Sequence, residues 1–272
     1  MELYGIIGDP VEHSLSPPMH GAAYEATGVD ATYSRYRVEE DDVGDAVRGA
    51  DALSIDGLNV TVPHKESVAA LDDVTLDETA ERIGAVNTLD FGGEDDEIRG
   101  YNTDAEGALR AIERETDVSG QEVVVVGAGG AGRAVAFALT GKGATVAVVN
   151  RTLERAEALA EEVREVGDAT AHPLEALDGI VPDADIVVNA TTVGMEEDVS
   201  PDPAEALRPH HVVFDAVYTP LRTRLLRDAA DAGATTVEGA WMLVYQGAEA
   251  FEIWTGHDAP VDEMNDALRE EL

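Results

Sequence analysis

The sequence predicts an α/β protein of two domains, an N-terminal α/β domain followed by a Rossmann-type doubly wound parallel sheet. Three observations carry this expectation. Short valine- and isoleucine-rich runs alternate with helical stretches along the 272 residues, as parallel βαβ units require. The segment Gln121–Ala138, QEVVVVGAGGAGRAVAFA, joins a wholly apolar strand to a glycine turn and then to a helix of small residues. A second strand, Thr145–Asn150, ends about 30 residues after the first begins, the span of a dinucleotide βαβ unit.

In that segment Gly127, Gly129 and Gly132 fall as G-x-G-x-x-G, in register with the end of the strand. The first allows a tight turn, the second lets a pyrophosphate approach the backbone, and the third lets helix and strand pack closely. The free N–H groups where the helix starts favour an anion. Gly127, Ala128, Gly129, Gly130, Ala131 and Gly132 are therefore the expected cofactor loop. The plainer reading is a βα turn that needs small residues.

Taken from the start, Leu3–Gly8 reads as a short strand. Two prolines after Ser16 suit a helix start, so Ser16 is either its cap or a ligand-facing hydroxyl. Ser14 is not needed as a cap and can present its hydroxyl to a polar ligand. His13 and His20 read as surface or packed histidines rather than metal ligands. Ala31–Val38 alternates as a strand and Glu39–Ala50 reads as a helix. In Gly57–Lys65, GLNVTVPHK, the strand stops at Pro63 and a helix starts near Lys65. That places Thr61 and Lys65 at the carboxyl end of a strand, where open α/β sheets bind ligands. Lys65 is one of only two lysines, and its plainer reading is a solvated side chain. Ile83–Leu89 enters another strand with Asn87 as a polar break. Gly100–Gly107 leads into a helix reaching about Glu115, with Asp104 either in the cap or paired with Lys65 as an acid/base couple.

In the second half, the strand Thr145–Asn150 ends with Asn150-Arg151-Thr152, and Arg155 follows one helical turn on. An NAD site usually has Asp or Glu near this point. Two guanidiniums and a cap hydroxyl suit a 2′-phosphate instead, so NADP is favoured over NAD. Leu153–Val166 reads as a helix, Ala184–Thr191 and His211–Tyr218 as strands, Leu221–Ala232 as a helix and Thr235–Glu238 as a last strand. Helices over Gly239–Trp254 and Val261–Glu271 close the chain. No repeat, low-complexity tract or long linker interrupts this order.

Composition sets the surroundings. Acidic residues number 56 against 18 basic, a net charge of −38. Such a surface repels itself in dilute buffer, and at molar salt the screening length falls to about 3 Å; a salt-rich, halophilic cytoplasm is the expectation. No basic stripe exists for nucleic acid. The absence of cysteine excludes disulfides and thiolate chemistry. The first residues lack a signal-peptide pattern, and Arg133 interrupts the best apolar run, so no membrane span is expected. A cytoplasmic protein without a cysteine–metal site is the resulting expectation.

The motifs HSLSP, GLNVTVPHK, GAVNTL, GYNTDAEG, GAGGAGR, NRT, NATTVGM, DAVYTPLRTRLL and GAWMLVYQGAEAF, in this order over nearly the whole chain, resemble the shikimate dehydrogenase family. The resemblance implies reversible NADPH-dependent reduction of 3-dehydroshikimate to shikimate, a step toward aromatic amino acids. It places Ser14, Ser16, Thr61, Asn87, Asp104 and Gln246 where the family binds shikimate, with Asn59 and Tyr218 nearby. It places Lys65 at the family's catalytic lysine. The glycine loop, the turn Asn150–Arg155, Ala216, Gly239 and Met242 fall where the family holds NADP. One departure is Gly21, where the family often has asparagine, at a position expected inside a helix behind the two serines. The implied organisation is a substrate domain over 1–103, an NADP domain over 104–238, and helices over 239–272 that return to the first domain so that Gln246 reaches the ligand. Domain closure would then exclude water from the cleft. Two alternatives remain: a quinate/shikimate dehydrogenase using NAD or NADP, and a non-catalytic nucleotide sensor, which would not need the Lys65/Asp104 pair.

Overall fold

The computed structural model describes residues 1–93 and 97–272. Backbone packing divides the chain into two compact units. One comprises Met1–Thr103 and Val244–Glu271; the other comprises Asp104–Leu243, with Leu272.

The first unit holds strands β1 (Glu2–Gly8), β2 (Ala31–Arg37), β3 (Gly57–Val60), β4 (Val74–Leu76), β5 (Thr88–Asp90) and β6 (Ile98–Tyr101). They form one sheet in the order β2-β1-β3-β5-β6-β4. β1 pairs parallel with β2 and β3, β5 runs antiparallel to β3 and β6, and β4 lies parallel to β6. Its helices are α1 (Ser16–Thr27), α2 (Val43–Ala52), α3 (Lys65–Ala69) and α4 (Glu78–Ile83). One face of the sheet buries Ile7, Leu58, Val60, Val86 and Leu89 with Val47 and Val68 of the helices.

The second unit starts with α5 (Thr103–Glu113) and continues β7 (Glu122–Val126), α6 (Gly130–Gly141), β8 (Thr145–Asn150), α7 (Leu153–Val163), β9 (Ala169–Pro173), α8 (Leu177–Ile180), β10 (Ile186–Asn189), β11 (Val212–Asp215), α9 (Arg224–Asp231) and β12 (Thr235–Glu238). Its six strands are all parallel, in the order β12-β11-β10-β7-β8-β9. Counted within the unit this is 6-5-4-1-2-3, the doubly wound dinucleotide order. The valines of β7, β10 and β11 are buried on both faces, which explains their unbroken apolar runs. The chain reverses its winding between β7 and β10, so the carboxyl ends of those strands mark the switch point.

Helix α10 (Gly239–Thr255) belongs to the second unit up to Leu243 and to the first from Val244. Its later turns pack on α1 so closely that Gly247 abuts the Met19 thioether with no room for a side chain. α11 (Val261–Glu270) also lies against α1. Beneath them Trp254 stacks on Tyr4 with ring centres 4.8 Å apart, and its indole N–H donates to the Leu89 carbonyl at 2.9 Å.

Candidate active site

In the first unit, the loop after β1 carries Ser14 and Ser16. Ser16 is not the cap of α1. Leu15 holds that position without a side-chain bond, and Ser16 opens the helix before Pro17 and Pro18. The backbone N–H of Ser16 donates to Ser14 Oγ at 3.3 Å, and Ser14 Oγ also donates to Ser16 Oγ at 3.3 Å. The two hydroxyls are thus neighbours. Arg35 of β2 fixes this loop: its Nε and Nη2 both donate to the Ser14 carbonyl, at 3.1 and 2.6 Å.

Asn59, Asn87 and Gln246 come from β3, the residue before β5, and α10, and all three are buried. Asn59 Nδ2 donates to Thr88 Oγ1 at 3.0 Å and to the Asn87 carbonyl at 3.3 Å. Its Oδ1 accepts from the Tyr33 hydroxyl at 2.6 Å. Asn87 Nδ2 donates to Gln246 Oε1 at 3.4 Å and Thr103 Oγ1 at 3.0 Å. Its Oδ1 accepts from the Thr103 backbone N–H at 2.7 Å, so Asn87 caps α5 from a distant part of the sequence. A buried polar network is stable only when its members satisfy one another, and these amides do. No motif points to Tyr33, and Thr88, though inside GAVNTL, has no expected role there; the parts of both depend on partners brought up by sheet pairing. Tyr33 also stacks on His20 with ring centres 4.5 Å apart. Burial lowers the His20 pKa to about 3, so this imidazole is neutral.

Thr61 follows β3 with its N–H bonded to the Ile7 carbonyl at 2.9 Å. Lys65 opens α3, and its carbonyl accepts from the Val86 N–H at 2.9 Å. That bond ties the backbone of Lys65 to the residue before Asn87. Asp104 lies in the first turn of α5, where the helix dipole favours a carboxylate; of the two acid/base candidates it alone falls in the second unit.

In the second unit the three loop glycines have three different surroundings. Gly127 has φ of +114°, and a Cβ there would sit 2.8 Å from the Ala190 carbonyl oxygen. Gly132 of α6 presses on the Gly127 backbone and has no room for a Cβ. Gly129 caps α6 in extended conformation, and Cβ positions at Gly129 and Gly130 face open space. The glycines thus leave an open cradle at the start of α6, flanked by Ala128 and Ala131. After β8, Asn150 Nδ2 donates to the Thr152 carbonyl at 2.9 Å and tightens the turn into α7. Arg151 and Arg155 are exposed, and among the described residues neither makes an ion pair. In a chain of net charge −38, two cations left without carboxylates at this turn suit an external anion.

Across the switch point, Asn189 ends β10 and Asp215 ends β11. Asn189 Nδ2 donates to Asp215 Oδ1 at 2.9 Å, and Thr223 Oγ1 donates to Asp215 Oδ2 at 2.6 Å. Burial raises the Asp215 pKa, opposed by these bonds and by the Val217 N–H. Ala216 and Tyr218 follow directly; burial raises the Tyr218 pKa. Gly239 approaches the Ala216 carbonyl so closely that a Cβ would lie 2.6 Å from its oxygen. Met242 is buried one turn on in α10.

A doubly wound sheet, a glycine cradle at its switch point and two exposed arginines after its second strand define the class: a dinucleotide-dependent oxidoreductase with a separate α/β unit. Family models give the finer assignment. Residues 6–89 match the shikimate dehydrogenase substrate binding domain, residues 109–199 shikimate / quinate 5-dehydrogenase, and residues 239–269 the shikimate 5'-dehydrogenase C-terminal domain. The shikimate dehydrogenase (NADP(+)) of Haloarcula marismortui is 57% identical over 272 residues, covering 100% of both chains. A crystal structure of shikimate dehydrogenase in complex with NADP+ is 42% identical, with TM-score 0.91 over 100% of this chain and 96% of that one. The Thermus thermophilus enzyme in complex with NADP(H) and shikimate is 40% identical, with TM-score 0.90 and full coverage of both. The chain belongs to the shikimate dehydrogenase family.

Proposed function

We propose that this chain catalyses the reversible NADP-dependent interconversion of 3-dehydroshikimate and shikimate, a step of aromatic amino acid biosynthesis. The carrying observation is the 57% identity to an NADP-dependent shikimate dehydrogenase over the full length of both proteins. The substrate is a small ring carrying hydroxyls and one carboxylate. The residues that would meet it are Ser14, Ser16, Asn59, Thr61, Asn87, Tyr218 and Gln246.

NADP fits the second unit. Gly127–Gly132 would cradle the pyrophosphate, Asn150, Arg151, Thr152 and Arg155 would take the adenosine ribose and its 2′-phosphate, and Ala216, Gly239 and Met242 would line the nicotinamide end. When bound, the reduced cofactor supplies the hydride that converts the ring ketone to an alcohol. The protein's own part is proton management. Lys65 as ammonium polarises the ketone and gives its proton to the new alkoxide; in the reverse direction the neutral amine removes it. Asp104 orients the amine and accepts a hydrogen bond from the substrate. Fixing the orientation of the ring is the part that the polar side chains of the first unit would play.

A second reading, activity on quinate with either cofactor, is favoured by the match of residues 109–199 to a family described as shikimate / quinate 5-dehydrogenase. Initial rates with shikimate and quinate, each with NADP+ and NAD+, decide between them. Shikimate with NADP+ should dominate kcat/KM, and comparable quinate turnover would move the assignment. No helix among the described residues is long and apolar enough to cross a membrane; we infer a cytoplasmic enzyme, monomeric or homodimeric, a state that light scattering reads directly.

A further inference from the structure

Arg35 stands apart from the arginines that this acidic chain pairs with carboxylates. Arg37, Arg48, Arg82, Arg99, Arg133, Arg224 and Arg227 pair with carboxylates. Arg35 pairs with none among the described residues, although acidic residues outnumber basic ones 56 to 18. One edge of its guanidinium is instead anchored on a neutral atom, the Ser14 carbonyl, through Nε at 3.1 Å and Nη2 at 2.6 Å. A guanidinium carries five N–H groups. The edge containing Nη1 therefore keeps its donors, and the side chain is exposed.

The corner it occupies is short of backbone donors. α1 begins there, but Pro17 and Pro18 remove two of its first backbone donors, and the Ser16 N–H is spent on Ser14 Oγ. An anion at this corner meets the hydroxyls of Ser14 and Ser16, 3.3 Å apart, and the guanidinium beside them. We propose that Arg35 is a substrate-binding residue that recognises the carboxylate of the substrate beside Ser14 and Ser16, and so sets the preference for an acid over a neutral ring. The proposal rests on the shikimate dehydrogenase reading above.

The charge balance supplies a reason. A chain of net charge −38 repels a carboxylate substrate over long range. Molar salt removes that repulsion, and it equally removes long-range attraction. Only a cation in direct contact still selects for the acid, and an arginine held by two bonds keeps its place at little further entropic cost.

The test is a chemical double cycle: wild type and Arg35→Ala, each with shikimate and with its neutral methyl ester, at fixed high salt with NADP+. For shikimate, Arg35→Ala should raise KM by about three- to tenfold with kcat within about twofold, the size of one exposed charge-assisted bond. For the ester, which loses only the loop anchor, KM should rise clearly less than for shikimate, and Arg35→Lys should restore most of the acid preference. Equal KM increases for acid and ester would mean that Arg35 only holds the loop, and would overturn the proposal, as would an unchanged KM for shikimate. A wild-type protein that oxidises neither compound defeats the functional reading itself and takes this inference with it.

Discussion

Gly132 rests directly on the backbone of Gly127, with no space between helix α6 and the turn for even a methyl group. This contact sets how near the start of α6 comes to the end of β7. Gly129, three residues earlier, has nothing within 4 Å of its Cβ position and an extended backbone any residue can adopt. The two positions should therefore fail differently. Gly132→Ala forces the helix off the strand and should lose about 1–3 kcal/mol of stability, read as a lowered Tm. Gly129→Ala should leave Tm nearly unchanged yet weaken NADP(H) binding by about tenfold or more, read by fluorescence titration. A Gly129→Ala variant that binds NADP(H) normally would show that the cradle is not the pyrophosphate site.

Lys65→Ala removes the proposed proton donor while keeping a good helix former at the start of α3. Turnover should fall by about 10²–10⁴, with NADP affinity and Tm close to wild type. Turnover within a factor of two of wild type would take Lys65 out of the mechanism.

Arg151 has no carboxylate partner among the described residues, so its replacement by Ala disturbs no internal ion pair there. The Arg151→Ala variant should lose about tenfold or more in kcat/KM with NADP+, the size of one charge-assisted contact to phosphate. Its much weaker activity with NAD+ should barely change. Equal losses with both cofactors would place the 2′-phosphate elsewhere.

The acidic surface makes a prediction about the solvent. With a net charge of −38, the folded chain repels itself when ions are dilute, and the screening length shortens from about 10 Å at 0.1 M salt to about 3 Å at 1 M. Tm should rise steadily as KCl increases across that range. The kinship with enzymes of halophilic archaea fits this expectation. A Tm independent of salt would show that the surface charge carries no net cost.

Sequence is most informative where a single residue type settles the backbone. The bounds of β8 and β12 follow from β-branched runs closed by Asn150 and Glu238. Two other strands end sooner than their apolar runs imply. The run expected to reach Thr191 stops at Asn189, whose Oδ1 accepts from the Thr191 N–H at 3.0 Å. The run expected to reach Tyr218 stops at Asp215, whose Oδ1 accepts from the Val217 N–H at 3.0 Å. In each case a side chain takes over the backbone donor two residues on and turns the chain. Thr223 likewise delays α9 to Arg224 by capping it. Strands β4, β6 and β9 leave no mark in the sequence because three to five residues including Thr75, Arg99 or His172 carry no period; their neighbours in the sheet recruit them. At the site, Asn87 shows in the sequence as a polar break, whereas Asn59 and Gln246 stand out only through the family resemblance. Their shared network depends on a partner 159 residues away in sequence for Asn87, and only the fold supplies it. Tyr33 and Arg35 are silent in the sequence for the same reason.

Asp202 gives the chain a pH dependence of its own. Its side chain is buried, and neither carboxyl oxygen has a hydrogen-bond partner. Burial, and then the charge of Asp215, push its pKa up to about 7. An aspartate in the unfolded chain titrates near about 3.9. Between those values the folded protein holds a proton that the unfolded chain has released, so stability falls as pH rises through this window and levels off above about 7. From pH 5 to pH 8 the loss amounts to a few kcal/mol. Asp202→Asn cannot titrate and should escape it. At constant high salt, the Tm of the variant minus that of wild type should therefore increase by several degrees between pH 5 and pH 8. A difference that stays constant across this range would mean that Asp202 is ionised in the folded protein at both ends, held by a charge that its surroundings do not display.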